Sequence, residues 1–380
     1  NLAKGSYTIE ANLDGYISKK HTIVLECSLN NSVTITLEKV DKTSKDAEKL
    51  NDVVVKGISE KRKKEETAEA VSVIEMKEAK FKTADLGEVL AQTQGINVRR
   101  TGGLGSRTNF SMNGLTGNQI RFFLEGIPLE YHGYTFGIST VPVNLIDRVE
   151  VYKGVVPIEL GADALGGAVN IITNKSVNRY IDASYSYGSF NTHRMAVNTR
   201  FTNKDGLILN LNAFGNYSDN DYKVDVSIAD KTTSKFLPEQ KYRHFHDAYK
   251  SGTIMAETGF KDKSFADYLL VGFVMSGNKK EIQQGRTMDK VAGQAFKDGE
   301  AFISSLKYKK NNLFTKGLSL NFNTTYSLVN NRTIDTSSRV YDWAGNYTYR
   351  NFGGASDKGE LSDRKTFYLY DERNLLAITN

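Results

Sequence analysis

Hydrophobic and polar residues alternate one by one along the second half of the chain. In residues 318–328, every second position except Thr324 is apolar or aromatic, at Leu318, Leu320, Phe322, Tyr326 and Leu328. The positions between them are polar, at Ser319, Asn321, Asn323, Thr325 and Ser327. Successive side chains of a β-strand point to opposite faces, so this stretch predicts a strand with one apolar and one wet face. Residues 179–187 and 207–217 repeat the pattern.

Eight such strands are predicted, at 179–187, 191–202, 206–217, 250–260, 266–277, 299–309, 314–330 and 366–379. Their lengths suit tilted membrane strands, which need roughly 9–11 residues. Short turns connect these strands on one side, and long polar loops are predicted on the other, at 218–249, 278–298 and 331–365. The first hairpin, at 188–190, is the one short loop on the long side. Short turns on one side and long loops on the other are typical of bacterial outer-membrane barrels. The pattern therefore predicts a transmembrane wall with a polar lumen.

Composition agrees with strands as the membrane-crossing elements. The mean hydropathy of the 380 residues is −0.43 and 39% are hydrophobic. No apolar run reaches the roughly 17–25 residues that a transmembrane helix needs. The net charge of +6 is modest, and no basic run is interleaved with aromatics, so we expect no nucleic-acid partner. The chain begins without Met or an apolar signal segment, so we expect trimmed material that starts partway through a domain.

The first 67 residues predict small strands and linkers. Residues 5–39 indicate two or three strands of a β-sandwich, the last at 33–37, and residues 40–49 form a charged linker. Residues 50–57 are an isolated β-prone patch with a second charged stretch behind it. Two interpretations remain open for this patch: strand addition to another protein's sheet, or an ordinary strand of the next domain.

Residues 68–175 predict a compact α/β segment. Strands are expected at 71–74, 96–99, 120–124 and 148–152, and a short helix at 83–90 with Thr83 as its N-cap. Glycine clusters lie between these elements, including residues 101–106. That run lacks the Gly-Lys-Ser/Thr ending of a phosphate-binding loop. We expect instead that its glycines let the backbone approach a wall or a ligand closely.

Several motifs in this order resemble the TonB-dependent outer-membrane receptors, in particular their Bacteroidetes branch. They are Gln-Gly-Ile-Asn-Val at 94–98, Phe-Phe-Leu-Glu-Gly-Ile-Pro at 122–128, Ile-Asp-Arg-Val-Glu-Val-Tyr-Lys-Gly at 146–154, and the closing run at 161–173. The resemblance implies a mainly β protein with four parts. They are the end of a carboxypeptidase-regulatory-like β-sandwich (1–40), a linker (41–67) with a TonB box (50–57), a small α/β plug domain (68–175) and the first part of an antiparallel transmembrane β-barrel (176–380).

Three positions depart from the family pattern. Asn113 and Lys153 stand where the family usually has Arg, and Glu125 stands where it usually has Asp. In the family, Arg residues of the plug pair with Glu residues of the barrel. Asn113 cannot form such a pair and Lys153 lacks the planar fork of Arg, so we expect the plug to be held differently here.

The resemblance also implies a mechanism and partners. The protein would lie in the bacterial outer membrane, with the plug and the N-terminal extension facing the periplasm. The exposed box would pair with TonB, and thereby with its inner-membrane energising complex, through Asp52, Val53, Val54 and Val55. Lipid or lipopolysaccharide would surround the wall, and a surface lipoprotein partner is left open.

The nutrient ligand is expected to meet outward loops of the plug. The candidate residues in these loops are Arg100, Arg107, Asn118, Gln119, Tyr131, His132, Tyr134 and Phe136. The aromatic residues would stack a siderophore, haem or corrin, or alternatively pack against the barrel wall. The arginines would favour an anionic ligand, or alternatively form salt bridges to acids in the lumen.

The expected function is energised import of a scarce nutrient, with an iron-siderophore or haem as the first choice. The alternatives are cobalamin, a peptide or a glycan as substrate, and a receptor that signals across the membrane. His244 and His246 lie one residue apart in a long loop, but no third ligand is visible at a useful spacing, so no metal site is expected. No catalytic residues and no cofactor are expected either.

Eight strands cannot form the whole barrel if a plug domain fills it. The interior of an eight-stranded barrel is filled by its own side chains, so a plug needs a wall of about 22 strands. The sequence therefore predicts an open, arc-like sheet beside the plug.

Overall fold

The structure is a computed structural model of the chain. It describes residues 5–11, 19–25, 35–36, 71–76, 85–135, 137–157, 160, 166–173, 178–228, 235–285, 287–350 and 357–379. The chain divides into two compact units, Asn1–Ala68 and Glu69–Asn380.

The first unit contains one described hairpin. Strands β1 (Gly5–Ala11) and β2 (Lys19–Leu25) pair antiparallel, with Tyr7 opposite Ile23. Only Ile35 and Thr36 of the expected third strand are described, and neither lies in a strand. The expected TonB box lies outside the described residues, including Asp52, Val53, Val54 and Val55.

The plug domain is built on two small sheets and one helix. A five-stranded sheet has the order β3-β9-β10-β7-β8, and a three-stranded sheet has the order β4-β5-β6. The strands are β3 (Val71–Glu75), β4 (Ile96–Arg100), β5 (Thr108–Met112), β6 (Leu115–Thr116), β7 (Ile120–Leu124), β8 (Ile127–Pro128), β9 (Ile146–Tyr152) and β10 (Gly167–Thr173). The central strands β9 and β10 bury Val149, Val151, Val169 and Ile171, so the core of the plug lies along this pair.

The plug helix α1 (Leu86–Ala91) begins after Asp85, so the expected Thr83 cap was wrong. The Asp85 carboxylate accepts a hydrogen bond from the Glu88 backbone N–H at 3.1 Å. Helix N-termini leave backbone donors unpaired, and a carboxylate satisfies one of them while complementing the helix dipole. The inner face of the helix packs into the core through the buried side chains of Leu86, Val89 and Leu90.

Eight long strands form one antiparallel sheet in the order β11-β12-β13-β16-β17-β18-β19-β22. They are β11 (Arg179–Gly188), β12 (Thr192–Thr202), β13 (Leu207–Ser218), β16 (Tyr249–Lys261), β17 (Tyr268–Glu281), β18 (Phe296–Lys310), β19 (Leu320–Asp335) and β22 (Thr366–Thr379). All eight predicted strands are therefore confirmed. Among the described residues β11 does not pair with β22, so the sheet is open, as expected for part of a larger barrel.

The alternating pattern sorts side chains between two faces of this wall. Tyr326 and Leu328 are exposed, whereas Thr325 and Ser327 are buried. Further exposed apolar residues of the wall include Ile181, Met195, Val197, Leu211, Ile254, Phe273 and Met275. Buried polar residues include Asn198, Arg200, Asn216, Thr253 and Ser276. Apolar outside and polar inside is the arrangement of a membrane barrel, the reverse of a soluble sheet.

The connections between wall strands are short on one edge and, apart from the first hairpin at residues 189–191, long on the other. The long loops between strands are residues 219–248, 282–295 and 336–365, here called loop A, loop B and loop C. Loop A contains the hairpin β14 (Lys223–Val226) and β15 (Gln240–Arg243), and loop C contains β20 (Arg339–Tyr341) and β21 (Tyr347–Tyr349). No helix among the described residues is long and apolar enough to cross a membrane.

Candidate functional site

The glycine-rich plug loop, residues 101–107, lies against the long-loop edge of the wall. Asn220 of loop A holds it through both ends of its side-chain amide. Its Oδ1 accepts from the Leu104 backbone N–H at 2.9 Å, and its Nδ2 donates to the Leu104 carbonyl at 2.9 Å. The Leu104 and Asn220 positions are 116 residues apart in sequence. The contact places this plug loop beneath the long loops, where the sequence expected a ligand to arrive.

Two glycines let the plug loop approach the wall this closely. A Cβ at Gly103 would lie 2.3 Å from Oδ1 of Asn220, and one at Gly105 would lie 2.2 Å from the Tyr249 ring. Gly105 also has φ +77°, a conformation that favours glycine. These contacts explain the glycine run through close approach to the wall, as the sequence suggested.

Arg100 and Arg107 have different surroundings. The Arg100 guanidinium pairs with the Asp85 carboxylate and lies 3.5 Å from the Glu88 carboxylate, both in the plug. Arg107 is exposed beside the plug loop, and its carbonyl accepts from the Thr101 N–H and hydroxyl at 3.1 and 2.9 Å. Arg107 is therefore exposed to solvent, whereas Arg100 is engaged in an ion pair within the plug.

Asn118 and Gln119 belong to a 3-10 helix, Gly117–Gln119. The Gln119 side chain is exposed, and its carbonyl accepts the Gly166 N–H at 2.8 Å. The Gln119 Oε1 accepts from the Thr116 N–H at 3.4 Å. The side chain of Asn118 lies outside the described part of the structure.

The expected aromatic cluster lies at the 3-10 helix Leu129–Thr135, which packs against strands β16 to β19 of the wall. His132 is 1% exposed, and its Nδ1 lies 3.4 Å from the Pro128 carbonyl oxygen. Burial lowers the pKa of His132 from 6.5 to about 3, so the ring is neutral at pH 7. This burial favours packing against the wall for His132. Tyr131 is half-buried, whereas the side chain of Tyr134 and all of Phe136 lie outside the described residues.

The histidines of loop A have separate surroundings. His244 stacks on Tyr222 with ring centres 4.4 Å apart and meets the edge of Trp343 at 5.5 Å. The His246 ring bonds to the Ala295 carbonyl through Nε2 at 2.8 Å. Among the described residues no group of three His, Cys, Asp or Glu side chains is arranged to hold a metal ion.

The plug is held to the wall by an apolar patch and by a few polar contacts. The patch faces the lumen and shares one core with the plug, at Ala196, Phe214, Val274 and Ile303. The carboxylate of Asp85 in the plug lies 3.8 Å from the guanidinium of Arg194 in the wall. Here the acid belongs to the plug and the arginine to the wall, the opposite of the pairing implied by the family.

Asn144 and Asn216 add hydrogen bonds between plug and wall. The Asn144 amide donates to Asp182 and to the Ser184 hydroxyl, the latter at 3.0 Å. The Asn216 amide donates to the Thr140 carbonyl at 3.2 Å. Lys153, one of the departing positions, instead donates within the plug to the Gln94 carbonyl at 2.8 Å.

Sequence reasoning missed Asn220 and Asp247, which organise the contact with the plug loop. The only local signal was the polar turn at residues 218–221, which predicts a bend but no partner.

Comparison with known proteins agrees with this architecture. Residues 63–168 match the family described as TonB-dependent Receptor Plug Domain. A stretch of 106 residues is 33% identical to the Vitamin B12 transporter BtuB of Vibrio vulnificus (strain CMCP6), covering 28% of this chain and 17% of the transporter.

Solved structures of similar fold include a ferric enterobactin receptor and an iron transporter. A mutant of the ferric enterobactin receptor PfeA of Pseudomonas aeruginosa matches with TM-score 0.57 and 14% identity, over 83% of this chain and 46% of that one. The FrpB iron transporter of Neisseria meningitidis matches with TM-score 0.52 and 15% identity, over 70% of this chain and 42% of that one. The chain thus spans less than half the length of these relatives, and the likeness shows the fold.

Proposed function

We propose that this chain, which belongs to the TonB-dependent outer-membrane receptors, is part of an importer that takes up a scarce nutrient with energy supplied through TonB. The observation that carries the proposal is the plug seated on the lumen face of the wall, where Ala196, Phe214, Val274 and Ile303 share its core. A lumen filled in this way does not conduct passively. Passage therefore requires the plug to be remodelled, and the outer membrane has no ATP to drive that work.

The division of the chain follows from this proposal. Residues 1–40 would be the end of a periplasmic β-sandwich, 41–67 a tether with the box, 68–175 the plug and 176–380 the first part of the wall. TonB would pair with Asp52, Val53, Val54 and Val55 by strand addition, in which main-chain hydrogen bonds supply the affinity. A flexible tether on either side lets the box reach its partner.

The test of energised uptake is proline at the centre of the box. Val54→Pro removes one ladder donor, so we expect loss of uptake of a radiolabelled ferric siderophore by whole cells while surface binding stays unchanged. Ser44→Pro, in the charged linker, is the matched control and should leave both uptake and binding intact. Loss of surface binding in Val54→Pro would count against the box as the site of energy transfer.

We propose an iron chelate, a ferric siderophore or haem, as the ligand. The exposed Arg107 of the plug loop favours an anionic ligand, and the two structural relatives are named as a ferric enterobactin receptor and an iron transporter. Cobalamin is the second candidate, because a stretch of 106 residues is 33% identical to a Vitamin B12 transporter. Growth experiments decide between the two ligands. They compare a deletion strain with the complemented strain on single iron sources and on limiting cobalamin.

Three other roles are separable by experiment. A cysteine at position 53 that crosslinks to TonB in cells would support an importer, whereas a passive pore would give no crosslink. A signalling receptor would change gene expression on ligand addition without accumulating the ligand. We expect no enzymatic activity: the relatives are named as transporters and receptors.

A further inference from the structure

The side chain of Asn220 joins the plug loop to both ends of loop A. Besides the two bonds to Leu104, its Nδ2 donates to the Asp247 carbonyl at 2.8 Å. Both amide hydrogens and the amide oxygen are therefore in use, and the residue is 2% exposed. Because Leu104 is held by its backbone, the contact is independent of the Leu104 side chain.

The surroundings fix Asn220 in this position. Its φ is +49°, a left-handed conformation that Asn tolerates better than most residues. Its backbone N–H donates to the Ser218 hydroxyl at 3.2 Å. Asp247 is held in turn by the Lys280 ammonium, which lies 2.7 Å from the Asp247 carboxylate.

The three long loops are tied together above this point, and we call them the cap (loops A, B and C). The Gln283 Oε1 of loop B accepts the Phe245 and His246 N–H groups of loop A at 2.9 and 2.6 Å. The Trp343 Nε1 of loop C donates to the Met288 carbonyl of loop B at 2.7 Å.

Buried carboxylates complete the cap. The Glu360 Oε2 of loop C accepts three consecutive backbone N–H groups of loop B, those of Gly293, Gln294 and Ala295, at 3.2, 2.8 and 2.9 Å. The Asp335 carboxylate accepts the N–H groups of Glu360 and Leu361 at 2.6 and 3.0 Å. Such charge-assisted bonds are about twice as strong as neutral ones, so the loops should move as one body.

We propose that Asn220 is the positioning residue that couples the cap to the plug loop, so that a change in the cap on ligand binding reaches the plug. That ligand binding starts this motion rests on the proposed function. The coupling between cap and plug loop rests on the contacts alone. Without the Asn220 amide, Leu104 and Asp247 have no shared partner. Leu104 would then lose both of its bonds to loop A, which would keep the bond between the Tyr222 hydroxyl and the Gly103 backbone as its tie to residues 101–107.

Hydrogen exchange on the full-length receptor in detergent micelles tests the coupling without ligand or TonB. Trp343→Ala loosens the cap at a distance from the plug. We expect it to raise exchange of the amides in residues 103–106 roughly tenfold, because residues in one hydrogen-bond network are not independent. In the Asn220→Gly background, Trp343→Ala should raise the exchange rate of the same amides by less than about twofold.

The choice of glycine separates the two roles of Asn220. Glycine accepts φ +49° freely, so a residue needed only for the turn would leave the Trp343→Ala effect at its full size. Asn216→Ala is the matched control: it removes another amide bond from wall to plug, to the Thr140 carbonyl, and should leave the coupling intact. An equal Trp343→Ala increment in the Asn220→Gly and unmodified backgrounds would overturn the proposal, whatever the uptake experiments show.

Discussion

At the scale of single residues, Gly103 sets the distance between plug and wall. Its missing side chain leaves room for Oδ1 of Asn220, which would lie 2.3 Å from a Cβ. We expect Gly103→Ala to lower the free energy of unfolding of the plug by about 1–3 kcal/mol, the usual cost of overpacking. Urea unfolding followed by hydrogen exchange measures it. Gly137→Ala is the control, because a Cβ there meets nothing closer than 3.9 Å, and equal losses in both variants would contradict this account.

His132 should make the plug sensitive to acid. Its pKa is lowered from 6.5 in the unfolded chain to about 3 in the folded protein, because burial penalises the charged ring. Between these values the unfolded chain binds one more proton than the folded one, so stability falls as pH falls below 6.5 and is unaffected above it.

The expected slope below pH 6.5 is about 1.4 kcal/mol per pH unit. From pH 7 to pH 5 the plug should lose about 2 kcal/mol through His132, measured as the change in free energy of unfolding. His132→Gln cannot titrate and should remove that part of the loss. An unchanged pH dependence in His132→Gln would show that other groups are responsible.

At the scale of elements, one carboxylate joins helix α1 to strand β4 and to the wall. Asp85 caps the helix, pairs with Arg100 and lies 3.8 Å from the Arg194 guanidinium of β12. Asp85→Asn keeps a capping side chain but leaves both arginines without this anion. We expect a loss of about 2 kcal/mol in the free energy of unfolding of the plug, discounted because both arginines are about one-third exposed.

Arg194→Gln is the comparison for that effect. It removes only the more distant partner of Asp85, so its cost should stay below about 1 kcal/mol. A larger loss for Arg194→Gln than for Asp85→Asn would mean that the wall arginine, and not the bond within the plug, is the stronger tie.

The strands of the wall were predictable because a membrane strand alternates apolar residues on its lipid face with polar residues on its lumen face. Strand β22 was expected at 366–379 and lies there, and β19 was expected at 314–330 but runs from Leu320 to Asp335. The shift has a local cause: Gly317 has φ +95°, and the Leu318 N–H bonds back to the Thr315 carbonyl, which makes a turn of these residues. Strand β5, Thr108–Met112, was missed because its Thr, Asn and Ser residues continue the polar composition of the glycine-rich loop before it.

The candidate site was less predictable than the fold, since its contacts join distant parts of the chain. Glycines at 101–106 suggested a close approach, but nothing local identifies Asn220 as the group approached. His132 shows a second limit of the sequence. An aromatic run in a loop has the same sequence pattern whether its side chains face a ligand or pack against the wall. Only the packing of the 3-10 helix Leu129–Thr135 against β16 to β19 distinguishes the two.

At the scale of the whole molecule, the outer face of the wall must match the depth of the membrane. Leu211 and Tyr217 lie on the same strand, β13, and both side chains are exposed, at 48% and 37%. Leu211 lies among apolar neighbours, with Ala256 beside it on β16, whereas Tyr217 lies opposite Lys250. This difference places Leu211 within the apolar band and Tyr217 at its rim beside the long loops.

An arginine at each position should therefore have different costs. Leu211→Arg should lower the free energy of unfolding from lipid vesicles by about 2–4 kcal/mol, whereas Tyr217→Arg should cost only about 0–1 kcal/mol. Urea titration of the full-length receptor refolded into phospholipid vesicles measures both variants under one set of conditions. The pair shares the strand, the face and the introduced arginine, and the bond from the Tyr217 hydroxyl to Asp219 that is lost in Tyr217→Arg works against the expected difference. Equal costs would mean that the exposed apolar residues of β13 do not face lipid, and the wall would then need a protein partner to cover this surface.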